Sequence, residues 1–136
     1  MFRHINVEIF RGYWAVNDVK KNPRKLFIFG DNDKRLGKKG QSIIRSEPNS
    51  AGIRTKKRPS LDPNAFYSDH EFKENVKKIR YDVKKIINLL EKNYIYDTLV
   101  LPQYAIGTGL SKLDKCAPKT FDFLVMKLNE LMARYR

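Results

Sequence analysis

The longest regular pattern in the chain lies between residues 69 and 92. Phe72, Val76, Ile79, Val83, Ile86, Ile87 and Leu90 recur at helical spacing, with lysines on the opposite face. The spacing predicts an amphipathic helix with Asp69 as its N-cap. Phe121, Leu124, Leu128, Leu131 and Tyr135 repeat the pattern near the C-terminus, where Pro118 suits a first helical turn. Other stretches read as strands. Residues 5–10 alternate apolar and polar side chains. Residues 26–30 and 97–102 are short apolar runs, the pattern of buried central strands. Residues 50–55 read as a further strand, and 41–45 as the start of a short helix. Residues 12–18 read as a segment pairing back on the first strand, and 56–69 as a long polar connection.

Buried-type strands alternating with amphipathic helices define the α/β class, with a mostly parallel or mixed sheet. A length of 136 residues suits one domain, 1–136, around one core. In such sheets ligands collect outside the C-terminal ends of the strands. Two strands here run into glycine-bearing loops. The first loop carries Asp31, Asn32, Gly37 and Gly40; the second carries Gly107, Thr108, Gly109, Leu110 and Ser111. Glycines let backbone N–H groups approach a phosphate, and Thr108 and Ser111 add hydroxyl donors. Each loop alone also reads as an ordinary turn. Two of them after two central strands are expected to meet at one edge of the sheet. The first is not a Walker loop, because the glycine spacing differs and no Ser or Thr follows Lys38 or Lys39.

A third segment, 51–60, gathers Thr55, Lys56, Lys57, Arg58 and Ser60 at a strand end. Adjacent cations lower one another's pKa, and burial lowers a lysine's further. A lysine in that state is a nucleophile or a general base. Taken alone, the run equally reads as a solvated basic stretch.

Charge widens the choice of partners. Lys and Arg number 28 against 15 Asp and Glu, a formal net charge of +13. That excess favours nucleic acid, nucleotides or acidic surfaces. The lysine face of the long helix, with Lys73, Lys77 and Lys84, is either simply solvated or able to track a nucleic-acid backbone. Cys116 is the only cysteine, so no internal disulfide forms, which fits a reducing compartment. His4 and His70 lie far apart, and no metal-ligand spacing or cofactor motif is present. Residues 1–14 lack a leader's apolar core, and no apolar run approaches the ~20 residues that span a bilayer. These features predict a cytoplasmic protein without a membrane partner.

Together the three segments resemble those of macro domains. A buried strand ending in Asn32, a glycine loop opening a helix, "IRTKKRPS", a long helix and "LVLPQYAIGTGLSKL" recur in that order. The resemblance covers about residues 26–123. It is nearest to the terminal ADP-ribose protein glycohydrolase branch, which includes DNA ADP-ribosyl glycohydrolase antitoxins. The chain is also similar to small macro-like proteins of bacteriophages, whose cytoplasm would be the host's. The resemblance implies a three-layer α/β/α fold with a mixed central sheet and a pocket for ADP-ribose or a related nucleotide. It implies that Asn32 ends the first strand near the distal ribose, with Gly37 and Gly40 in the first ligand loop; Asp31 and Thr55 are further candidate ligand-binding residues at these strand ends. Gly107, Thr108, Gly109 and Leu110 would fall in the diphosphate loop, with the Ser111 hydroxyl expected as a further donor beside them. Lys56 would attack the anomeric carbon and remove ADP-ribose from protein or nucleic acid. Where that branch carries an Asp after "GxGL", this chain has Ser111, which supplies no carboxylate. The competing expectation is a non-catalytic protein that binds nucleic acid or a host protein, or a sponge for a nucleotide signal.

Overall fold

A computed structural model describes residues 3–92 and 94–135. Met1, Phe2, Asn93 and Arg136 lie outside the described residues, so the domain expected over 1–136, and the leader reading of 1–14, extend beyond them. Four strands, β1 (Asn6–Phe10), β2 (Lys25–Asn32), β3 (Ser50–Lys56) and β4 (Thr98–Pro102), form one sheet in the order β1-β4-β2-β3. Every pairing is parallel. The expected mixed sheet is thereby corrected. Each strand is followed by a segment that carries the chain back across the sheet, and among the described residues the one antiparallel contact is an isolated bridge between Lys56 and Phe66. The α/β class stands.

Both faces of the sheet are covered, unequally. On one face lie α2 (Phe72–Lys92) and α4 (Pro118–Tyr135). Ile79, Val83, Ile86 and Leu90 of α2, with Leu124, Leu131 and Tyr135 of α4, pack on Leu26, Ile28, Ile53 and Leu101. The alternation along each strand sends its other residues to the opposite face. There Phe27, Phe29 and Val100 meet Trp14, just before α1 (Val16–Lys20), Val19 of α1 and Ile44 of the 3-10 turn Gly40–Ile44. A four-residue helix, α3 (Leu113–Cys116), leads into α4.

Two local expectations change. Residues 12–18 do not pair back on β1. The Asp18 carboxylate accepts from the Ala15 N–H at 2.7 Å, and Trp14 and Val19 sink into the sheet face, so the segment turns as α1. Asp69 does not cap α2. It opens a 3-10 turn, Asp69–Glu71, that runs directly into α2. Its carboxylate caps α4 instead, accepting from Lys119 N at 2.9 Å and from Thr120 N at 3.1 Å. Burial pushes the Asp69 carboxyl up, but these bonds, Thr120 Oγ1 and the Lys119 charge together hold it below its ordinary value.

The two outer strands are finished differently. β3 presents an N–H and a carbonyl outward from Arg54 and Gly52. Asp82 of α2 accepts the Arg54 N–H at 2.8 Å, and Arg35 Nη1 donates to the Gly52 carbonyl at 3.3 Å. Side chains therefore close this edge of the sheet. β1 ends the sheet on the other side and pairs only with β4.

Candidate functional site

Because all strands are parallel, their C-terminal ends share one edge. Segments after β1 and β2 pass over the face of Phe27 and Phe29, whereas those after β3 and β4 pass over the face of Leu26 and Ile28. The neighbours β2 and β4 thus send their following segments to opposite faces. That is the topological switch point where open α/β sheets form a crevice. The pairing of β2 with β4 stops at Phe27 and Val100. Beyond it the strands part, and Gln41 fills the gap. Its Oε1 accepts from Gly30 N at 2.9 Å, and its Nε2 donates to the Tyr104 carbonyl at 2.8 Å. A Cβ on Gly40 would touch Leu110 at 3.5 Å. Both glycine loops therefore border the same crevice.

The second loop divides between structure and open backbone. Gly107 has φ +96, and a Cβ there would meet Phe121 at 3.2 Å and Leu113 at 3.3 Å. Only glycine fits that turn. Around Gly109 nothing lies within 4 Å of a built Cβ. Among the described residues, the N–H groups of Gly109, Leu110 and Ser111 meet no internal acceptor. Thr108 Oγ1 donates to the Ala105 carbonyl at 2.7 Å, so its hydroxyl proton is already engaged. Leu110 is exposed and Ser111 half-buried.

Lys56 joins this loop from β3. A register shift sets Asp31 against Arg54 but Asn32 against Lys56, so Thr55 is the extra residue of a bulge. The bulge turns Lys56 toward the crevice. The side chain is 7% exposed, its Nζ donates to the Leu110 carbonyl at 3.3 Å, and it lies 4.7 Å from the Phe66 ring centroid. Lys112 Nζ sits over the same ring at 5.6 Å. Among the described residues no carboxylate pairs with Lys56. Burial lowers its pKa, and the Lys112 charge lowers it further. Its chain neighbours are drawn off: Arg54 binds Asp82, Lys57 binds Glu71 at 2.9 Å, and Arg58 meets Asp62 and Asn64.

The first loop is less free than its sequence implies. Asn32 donates to the Leu36 carbonyl at 2.7 Å and accepts from Lys34 N at 3.0 Å, which shapes the turn. Gly37 rests against Pro59. Thr55 is buried, its hydroxyl donating to the Asp31 carbonyl at 3.2 Å. The Asp31 carboxylate points away from the crevice. It pairs with Arg35 at 2.8 Å and Arg45 at 2.6 Å, while Arg35 reaches Asp82 at 2.7 Å. Burial alone would lower the Arg35 pKa; its bonds to both aspartates raise it. This network borders a separate cavity of 280 Å³ between β3 and α2.

Sequence reasoning missed Gln41, Phe66 and Lys112 as parts of the crevice, and also an aromatic pair at its mouth. Tyr13 and Tyr104 follow β1 and β4 and stack with centroids 4.7 Å apart and planes at 19°. They are 84% and 46% exposed. Only their placement after two strand ends could have marked them. Among the described residues, no cluster of three His, Cys, Asp or Glu side chains could hold a metal ion. No described helix is long and apolar enough to cross a membrane.

Fold and crevice define a parallel α/β protein whose two glycine loops meet at its switch point. The chain belongs to a family of unknown function (DUF7831), whose model matches residues 9–127. No curated protein and no solved structure matches it.

Proposed function

We propose that the crevice between β2 and β4 binds ADP-ribose or a closely related nucleotide. One observation carries the reading. Three successive acceptor-free amides, at Gly109, Leu110 and Ser111, adjoin a buried lysine without a carboxylate partner. Such a site lacks negative charge, and a diphosphate supplies it. The Tyr13–Tyr104 pair offers the base a face to stack on. The macro-domain resemblance of the "IRTKK" and "IGTGL" segments supports the choice of ADP-ribose among nucleotides.

Lys56 gives the site its chemistry. Its lowered pKa raises the fraction of neutral amine. In free ADP-ribose the ring-opened aldehyde condenses with that amine to an imine and releases water. On an ADP-ribosylated target the amine attacks the anomeric carbon, the bond to the target breaks, and the proton lost by the attacking nitrogen goes to the leaving atom. The ribosylamine ring then opens to an imine, which water hydrolyses to free ADP-ribose and the amine. Ser111 offers no carboxylate to protonate the leaving group, so cleavage rests on Lys56 and turnover is slow.

Calorimetric titration with ADP-ribose tests the binding, with saturable one-to-one heat expected. Borohydride reduction of the mixture, followed by peptide mass spectrometry, is expected to fix an adduct on Lys56. Absence of saturable binding removes the reading. Binding without an adduct leaves a nucleotide receptor rather than a glycohydrolase.

A further inference from the structure

The geometry points to a second binding surface, on the outward stripe of α2, that takes single-stranded nucleic acid independently of the crevice. Lys73, Lys77, Tyr81 and Lys84 succeed one another at intervals of three or four residues, so they share one face with about one side chain per 5.4 Å turn. Lys85 flanks them. All four lysines are exposed, and among the described residues only Lys77 has a carboxylate partner, the exposed Glu74 at 3.6 Å. Cations repeated along a helix face repel one another. A polyanion lying along the stripe would relieve that repulsion and release its own counterions.

The long helix α4 lacks this pattern. Its exposed residues include Asp122, Val125, Met126 and Glu130, and the half-buried Lys127 pairs with Glu130 at 3.0 Å. The positive stripe is thus a property of α2 rather than of every exposed helix in a basic chain. Apart from Glu74 beside Lys77, the carboxylates next to the stripe are consumed within the fold: Asp82 by Arg35 and Arg54, and Asp33 by Lys78 at 2.7 Å.

Tyr81 decides between single strand and duplex. Its ring is 62% exposed among the lysines, and the Arg54 guanidinium lies 5.7 Å from its centroid. Arg54, Lys77, Lys78 and Tyr81 line an open groove of 430 Å³. An exposed aromatic ring in a cationic groove is a stacking platform for an unpaired base, whose face a duplex hides.

The test is fluorescence anisotropy of the full chain with a labelled mixed-sequence oligonucleotide, single-stranded or annealed, across a salt series. Replacing Lys77, Lys84 and Lys85 by Gln together is expected to weaken single-strand binding at least tenfold. The slope of log affinity against log salt is expected to fall by about 2, at roughly 0.7 per cation lost. Tyr81→Ala is expected to cost roughly tenfold on the single strand and to leave the duplex unchanged. Lys127→Gln, on α4, is expected to change neither. Circular dichroism checks that each exposed substitution leaves the fold intact. Unchanged affinity in the triple variant overturns the proposal, as does exclusive binding to anionic vesicles. Equal binding of duplex, insensitive to Tyr81→Ala, overturns the single-strand assignment.

Discussion

Arg54 and Lys56 leave the same strand two residues apart, and their charges are treated in opposite ways. Arg54 turns to the outer edge of β3, where it joins Arg35, Arg45, Asp31 and Asp82 in a network that satisfies both carboxylates. Lys56 is re-aimed by the bulge at Thr55 into the crevice, where it finds a carbonyl, an aromatic ring and another lysine. Half-buried arginines matched to buried carboxylates leave no charge unmet in the fold. A buried cation without a carboxylate stores unmet charge, which is what a ligand site requires. The Asp31 network is therefore read as structural, while the Lys56 corner is the one the proposed function rests on, although both come from basic runs beside glycines.

The strongest way to break that comparison is to remove an anion from the paired side. Asp82→Ala leaves Arg54 without its carboxylate and Arg35 with Asp31 alone, and it orphans the Arg54 N–H. It is expected to cost about 3–5 kcal/mol in urea unfolding. A loss near zero would show that the edge network contributes nothing.

The glycines of the second loop sharpen the functional side. Gly107→Ala forces a Cβ against Phe121 and Leu113 at a positive φ and is expected to cost roughly 1–3 kcal/mol. Gly109→Val is expected to stay within about 0.5 kcal/mol of the parent by the same measurement, because its side chain enters open space. Its effect should appear instead as lost ADP-ribose heat in calorimetry.

Lys56→Met reverses the Asp82 result. It removes a buried charge that nothing neutralises, so unfolding should show no loss and a gain of up to about 1 kcal/mol, while borohydride trapping fails.

The smallest effect is in pH dependence. The folded-state pKa of Lys56 lies below the ordinary 10.5, so the unfolded chain binds this proton more tightly. The resulting penalty is complete below the folded value and vanishes above the ordinary one. Measured against Lys56→Met, the parent should therefore gain stability as pH rises through that window. A flat difference would mean that Lys56 is solvated.

How much of this was legible in the chain depends on sequence separation. The 3.6-residue rhythm fixed α2 and α4, and apolar runs marked β2 and β4, because those signals are local. The two glycine loops were placed at one edge by the same logic. The role of Asp69 was not readable, since the helix it caps begins 49 positions later, at Pro118. Asp31 looked like a loop residue because its neighbour Arg35 read as part of the same polar loop, and its second partner, Arg45, reaches it only through the fold. Residues 12–18 misread because their apolar side chains serve the sheet face from a single helical turn, too short to show a period. Lys56 stood out only by its neighbours, yet those neighbours are neutralised elsewhere; the bulge that separates them leaves no mark in the composition.

The plugged edge of β3 has a consequence for assembly. Sheet extension is a polymerisation with two growing ends, and in this chain Arg35 and Asp82 act as a chain terminator at one of them. Any edge-to-edge joining must run through β1. Two copies joined there by a two-fold present only terminated ends, so growth halts at a pair instead of running on as a filament.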